Sequence, residues 1–171
     1  TRTGLNGRLY NLEVGLRPLG NSGELAITID DLRAYFNDGA GKASERQALC
    51  QARTIWGGPV ARETAIECVH QVIRATPQDS RWAEEIFEER LRLETSASRD
   101  NIKRGVGGTM DIEYVVQMLQ LYSASAHPNV LVPGTLDAIN QLGSIGKIDG
   151  TTVARLQENY SFLRSIESGI R

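Results

Sequence analysis

The chain has 171 residues and a formal net charge of −2, from 19 basic and 21 acidic side chains. These charges are spread along the sequence without a basic block or stripe, so we expect no nucleic-acid partner. No apolar run approaches the ~18 residues that a membrane-spanning helix needs, so we expect no membrane segment. The length suits one well-packed core, or one domain and part of another.

The two cysteines, Cys50 and Cys68, are too few for a disulfide framework. Each fits the apolar face of a predicted helix, which favours core packing. His70 lies close to Cys68, but further residues at the spacing of metal ligands are missing. We expect a reducing, cytoplasmic compartment. The sequence has no initiator methionine and no signal peptide, so we expect it to be a piece of a longer protein.

The first segment is the only one with the alternation of a β-strand. From Leu9 to Arg17, apolar residues at every second position predict one face toward a core, and Glu13 shares the opposite face with Arg17. After Pro18 and a glycine-containing turn, residues 25–29 alternate again. We therefore predict a β-hairpin. Because two strands alone are marginal in water, we expect it to belong to a larger sheet.

Every later segment has apolar residues at helical spacing, so we expect helices alone beyond about Phe36. A first short helix follows a cap at Thr28 or Asp30. The acidic run at residues 84–89 is typical of a solvated helix face. Further predicted helices cover residues 44–53, 59–76, 80–93, 110–122, 136–142 and 153–171.

The helix that follows Gly107 and Gly108 is predicted to be the centre of the domain. The two glycines allow a backbone conformation that other residues resist. Asp111 and Glu113 lie in the first turn, where the helix dipole favours carboxylates, and this is the simplest interpretation of the two acids. The apolar residues spread beyond a single face, which predicts a helix covered on most sides: Ile112, Val115, Val116, Met118, Leu119, Leu121 and Tyr122.

Several blocks of sequence carry a family resemblance. They are residues 7–25 (GRLYNLEVGLRPLGNSGEL), 45–53 (ERQALCQAR) and 107–114 (GGTMDIEY), followed by the closing segment 160–167 (YSFLRSIE). In this order and spacing they resemble bacterial glutamine synthetase adenylyltransferases. The matched blocks run through nearly the whole chain, and three blocks in one order are far more specific than any one of them.

The resemblance implies a mainly α (α+β) fold, in which an N-terminal β-hairpin remnant of a nucleotidyltransferase sheet precedes a helical bundle. Residues 1–57 would be the C-terminal part of the nucleotidyltransferase domain, and residues 58–171 an all-helical domain. In this family one catalytic copy moves AMP from ATP to a tyrosine of glutamine synthetase, and the other copy removes it. The implied cofactors are ATP and Mg²⁺, and the implied partners are glutamine synthetase and the PII signal protein.

The resemblance also suggests site residues. It places the third of three metal-binding carboxylates on Glu13, where the family usually has Asp, and makes Arg17 a candidate phosphate contact. The alternative is a solvated Glu13 paired with Arg17. The other two acids belong to a segment upstream of these residues, so we expect the chain alone to be inactive, with no cofactor bound. Met110 favours the second, adenylylating copy. Asp111 and Glu113 are motif residues without an assigned role.

Two other classes of function stay open. The chain could be a regulatory helical module that contacts glutamine synthetase or PII, without chemistry of its own. It could instead be a structural domain that orients two catalytic units. The predicted hairpin would also have an unpaired edge outside its sheet. We therefore expect either poor order before about Leu25 or strand-mediated association of two copies.

Overall fold

The computed structural model describes residues 17–76, 80–98 and 101–169. These residues form seven α-helices and two short 3-10 helices, and none of them is in a strand. The prediction of helices alone beyond Phe36 is therefore confirmed for the described part of the chain. The α-helices are α1 (Ile29–Asn37), α2 (Ala43–Leu49), α3 (Pro59–Arg74), α4 (Ser80–Thr95), α5 (Thr109–Ser123), α6 (Thr135–Ser144) and α7 (Gly150–Gly169); the 3-10 helices are Gly20–Ser22 and Pro128–Val130.

The predicted second strand over residues 25–29 is wrong. No strand forms there, and Ile29 is already the first residue of α1. The Thr28 hydroxyl accepts a hydrogen bond from the Asp31 amide at 3.1 Å, and the Asp31 carboxylate accepts one from the Thr28 amide at 3.3 Å. This reciprocal cap satisfies backbone donors locally and starts a helix instead. Residues 9–16 of the first predicted strand, which runs from Leu9 to Arg17, lie outside the described residues. That strand therefore stays a prediction.

The core forms where α5 packs against α2, α6 and α7. This confirms that the helix after Gly108 is central. Helices α2 and α4 also pack on each other, and α3 packs against α1 and α2. The buried cluster draws on α2 to α6 and on the segments after α2, α5 and the second 3-10 helix: Ala43, Cys50, Val69, Ile73, Ile86, Val116, Leu121, Ala124, Val130, Leu131, Ala138, Ile139 and Leu142.

The buried face of α5 is narrower than its apolar sequence predicts. Val116 and Leu121 are each 1% exposed, whereas Val115 is 50% and Tyr122 is 54% exposed. The Tyr122 ring receives the Lys147 ammonium at 4.8 Å from its centroid, a contact that suits a partly exposed aromatic side chain. The expectation of a helix covered on most sides is therefore wrong for the face that carries Val115 and Tyr122.

Two glutamines take part in the buried face of α5. The side-chain oxygen of Gln117 accepts a hydrogen bond from the Gln47 amide of α2 at 3.0 Å. Gln120 donates to the backbone carbonyls of Val130 and Val132, at 2.7 and 3.0 Å. Burying an amide is costly unless it is hydrogen-bonded. These bonds explain how polar side chains can occupy the centre of the bundle.

Both cysteines are buried and free, as predicted. Burial raises the pKa of the Cys50 thiol to about 12, so this side chain stays protonated at neutral pH and packs as a small apolar group. Among the described residues, no helix combines the length and the apolar character needed to cross a bilayer.

Candidate functional site

The third sequence block forms the entry to α5. Gly107 has φ +74°, in the left-handed region that favours glycine. A Cβ atom on Gly108 would lie 2.4 Å from the Ile102 carbonyl oxygen and 2.7 Å from that of Lys103. Both glycines are thus required by the backbone, as the sequence predicts. They allow the loop before α5 to fold closely onto the start of the helix.

Gly108→Ala should lower the free energy of unfolding by about 1–3 kcal/mol, because the added methyl group overlaps backbone oxygens that cannot rotate away. Urea denaturation of the purified chain measures this loss. Gly150→Ala is a matched control, since a Cβ there meets no atom within 4 Å. We expect the control to be neutral or stabilising. A loss for Gly108→Ala no larger than that of the control would contradict the packing argument.

Asp111 lies in the first turn of α5, and both of its carboxylate oxygens have partners. Oδ1 accepts from Nε of Arg90 at 2.7 Å and also lies 2.7 Å from Nη2 of the same guanidinium. Oδ2 accepts from the Gly107 amide at 2.6 Å. Arg90, whose side chain is 6% exposed, also donates to the Gly105 carbonyl at 3.1 Å. Asp111 therefore joins α4, the glycine loop and α5.

Glu113 joins α5 to the last helix. Its carboxylate accepts a hydrogen bond from the Tyr160 hydroxyl at 2.8 Å. Burial raises the pKa of Tyr160, and the bond to Glu113 raises it further. Nearby, the Thr109 hydroxyl donates to Glu167, which also pairs with Arg164 at 2.8 Å. The third block and the closing segment, far apart in sequence, therefore meet along α5 and α7.

The second block joins the first three helices. Arg46, 8% exposed, donates to the carbonyls of Phe36 at 2.9 Å and Val72 at 2.5 Å, with its guanidinium carbon 4.9 Å from the centre of the Phe36 ring. Burial lowers the pKa of Arg46. Glu45 accepts from the Tyr35 hydroxyl at 2.9 Å. The block thus supplies hydrogen-bond donors to a carbonyl near the end of α1 and to a carbonyl of α3.

Comparisons with known proteins place these blocks in a family. Residues 1–68 match the family model described as glutamate-ammonia ligase adenylyltransferase. The bifunctional glutamine synthetase adenylyltransferase/adenylyl-removing enzyme of Mycobacterium leprae is 33% identical over 162 residues, which cover 92% of this chain. The enzyme of the same name from Streptomyces coelicolor is 30% identical over 175 aligned positions, which cover 100% of this chain. The chain belongs to the glutamine synthetase adenylyltransferase family.

A second match covers the helical part. Residues 79–171, more than half of the chain, belong to the family described as GlnD PII-uridylyltransferase. The adenylyltransferase-family chain spans 16% of the M. leprae protein and 17% of the S. coelicolor protein. The two family matches leave residues 69–78 between them, in the second half of α3 and the segment after it. The domain boundary between residues 57 and 58 stays a prediction.

The proposed catalytic residues of this adenylyltransferase-family chain are only partly described. Glu13, the candidate third carboxylate, lies outside the described residues. Arg17 is placed, and its guanidinium donates to the carbonyls of Gly23 at 3.0 Å and Asn21 at 3.3 Å, within the turn of the first block. These bonds orient the side chain beside the first 3-10 helix. Its role as a phosphate contact stays a prediction.

The described residues do not fit a magnesium site. No group of three or more His, Cys, Asp or Glu in this part of the chain could hold a metal ion. Asp111 and Glu113 project from α5 toward different partners, the first to Arg90 and the second to Tyr160. Both acids therefore have a structural use here, as the ties that hold α5 against α4 and α7.

Arg90, the main partner of Asp111, is not among the residues predicted from the sequence. The residue follows the fully buried Ile86 by four positions, which puts both on one face of α4. That spacing was a usable signal, because a cation on an apolar helix face must be paired when it is buried. The acidic run at residues 84–89 makes this spacing hard to recognise, since it suggests that the whole helix faces solvent.

Proposed function

We propose that this chain is part of an enzyme that adenylylates and deadenylylates glutamine synthetase with ATP, and so regulates nitrogen assimilation. The observation that carries the proposal is the agreement of two comparisons. Residues 1–68 match the adenylyltransferase model, and relatives bearing that activity in their names align with 92% or more of the chain. The proposed partner is glutamine synthetase, with PII as a regulatory partner, in the cytoplasm.

In the proposed reaction Glu13 helps to hold Mg²⁺, and Arg17 contacts a phosphate of ATP. Two divalent ions that clamp a triphosphate need several anionic ligands converging on them. The described residues lack such a cluster, and the proposal assigns the other two carboxylates to a segment upstream of these residues. We assign the chain to the second, adenylylating copy on the strength of Met110 alone.

The 171-residue chain by itself should transfer no adenylyl group. Most of the catalysis of phosphoryl-type transfer comes from neutralising charge on the reacting phosphate, so a site without its full set of acids loses nearly all of it. The experiment incubates the chain with labelled ATP, Mg²⁺ and glutamine synthetase, with a full-length relative as positive control. Label on the synthetase above the blank would show that the chain carries a complete site.

A regulatory helical module is the second candidate. It is favoured by the match of residues 79–171 to a family named after an enzyme that acts on PII. The ties of Asp111 and Glu113 would keep α4, α5 and α7 in one arrangement for a partner to recognise. Cross-linking of the chain to PII and to glutamine synthetase tests this. Specific cross-links, lost when residues 58–171 are removed from the longer enzyme, would favour the module; their absence would favour a structural domain.

A further inference from the structure

A pocket of about 300 Å³ opens between the end of α2, the loop after it, and α3. Three basic side chains line it: Arg53 from the loop, and Arg62 and His70 from α3. Its lining contains no Asp or Glu within the described part of the chain. The rest of the lining is largely apolar and includes Ile66, between Arg62 and His70 on the same face of α3, and Leu131. The pocket therefore combines positive charge with a surface suited to a carbon skeleton.

The two arginines keep their hydrogen-bonding capacity. Arg62 donates only to the Thr54 hydroxyl, at 3.3 Å, and Arg53 has no partner among the described residues. A guanidinium presents five donors in a planar fork that fits carboxylate and phosphate groups. Five other arginines of the described residues pair with carboxylates: Arg33, Arg74, Arg90, Arg92 and Arg164.

His70 adds a titratable group to the pocket wall. Burial lowers its pKa, with opposing effects from Glu67, which raises it, and Arg74, which lowers it. Glu67 and Arg74 pair with each other at 2.5 Å, so their charges largely offset. A neutral imidazole can donate or accept a hydrogen bond, and a nearby anion favours its protonated form.

We propose that this pocket binds the carboxylate or phosphate group of a small molecule with an apolar body. Arg53 and Arg62 pair with the anion, and apolar lining residues such as Ile66 and Leu131 pack against the body. The volume is at the lower end of the range for small-molecule sites, about 300–1,000 Å³. The pocket contains none of the residues assigned to adenylyl transfer. Binding at the pocket can therefore be tested separately from that activity.

The test titrates the 171-residue chain with phenyl phosphate, phenylacetate, inorganic phosphate and benzyl alcohol, by calorimetry and by NMR of the arginine side chains. We expect saturable binding of at least one aromatic anion, weaker binding of inorganic phosphate, and none of the neutral alcohol. The preference between phenyl phosphate and phenylacetate identifies the anion. The His70 ring should titrate at a higher pH when the anion is bound, because the negative charge stabilises imidazolium.

Arg53→Gln and Arg62→Gln should each weaken binding by about tenfold, since each removes a charge-assisted pair. Arg155→Gln is the matched control, an exposed arginine on α7 outside the pocket, and it should bind as the original chain does. Circular dichroism checks that each variant is folded. Because there are two independent pocket variants, the test remains possible if one of them does not fold. The proposal would be overturned if Arg53→Gln and Arg62→Gln bound the anion as tightly as Arg155→Gln does. Binding of benzyl alcohol as tight as that of the aromatic anions, or no saturation by either anion, would also overturn it.

Discussion

Leu121→Ala should lower the free energy of unfolding by about 2–5 kcal/mol, the usual cost of a cavity at a fully buried leucine. Leu121 is 1% exposed and belongs to the core cluster of α5. Leu119, two residues earlier, packs only at the edge of that cluster. Leu119→Ala should therefore cost less, because solvent and neighbouring side chains can fill part of the space. Urea denaturation monitored by circular dichroism measures both losses.

This pair of variants separates two descriptions of α5. The sequence pattern puts Leu119 on the main apolar stripe with Ile112, whereas the structure buries Val116 and Leu121 most deeply. Equal losses for Leu119→Ala and Leu121→Ala, or a larger loss at Leu119, would contradict the buried face that the structure shows. A loss below ~1 kcal/mol at both positions would contradict the central place of α5 itself.

The helices could be predicted from sequence because their signals are local. Pro59 fits the first position of α3, and the helix ends at Arg74, three positions before Pro77 in the sequence. Thr28 and Asp31, three positions apart, form the cap of α1. At residues 25–29 the alternation of apolar residues favours a strand, whereas the cap formed by Thr28 and Asp31 favours a helix. The helix forms, starting at Ile29. A strand also needs a partner, which a helix does not.

The face of α5 could not be predicted, because its partners are distant in sequence. Gln117 is satisfied by Gln47, 70 positions away, and Gln120 by carbonyls of the loop at residues 130–132. Nothing near either glutamine indicates that it is buried. Since α5 is apolar on more than one side, hydrophobic spacing alone leaves several faces equally acceptable.

The matched sequence blocks also combine features that depend on neighbouring residues with features that depend on residues far away in the sequence. The requirement for Gly108 follows from the close loop at the start of α5, and the spacing of the motif indicates it. The tie between Glu113 and Tyr160 spans 47 positions and joins two blocks that were recognised separately. The basic pocket brings Arg53 together with His70 from the next helix. That juxtaposition depends on how α2 and α3 pack, which no sequence spacing encodes.

Two aspartates of this chain allow an ion pair with a buried arginine to be compared with an ion pair with an exposed one. Asp30 and Asp111 both lie in the first turn of a helix, and each is 2.7 Å from an arginine. The Asp30 side chain is 90% exposed and its partner Arg33 is 40% exposed. Asp111 is 37% exposed, but its partner Arg90 is only 6% exposed. The helix dipole acts on both acids. They differ in the burial of the arginine and in the hydrogen bond that the Gly107 amide donates to Asp111.

Asp111→Ala should lower the free energy of unfolding by about 3 kcal/mol, because it leaves the buried Arg90 guanidinium with only the 3.4 Å contact to Glu94 and frees the Gly107 amide. Asp30→Ala should cost at most about 1 kcal/mol, the usual range for an exposed ion pair. Chemical denaturation of both variants at one salt concentration gives the comparison. A double variant, Asp111→Ala with Arg90→Met, should recover part of the loss, since it removes the orphaned charge. Equal costs for the two aspartates, or no recovery in the double variant, would show that Asp111 does not act through the buried guanidinium.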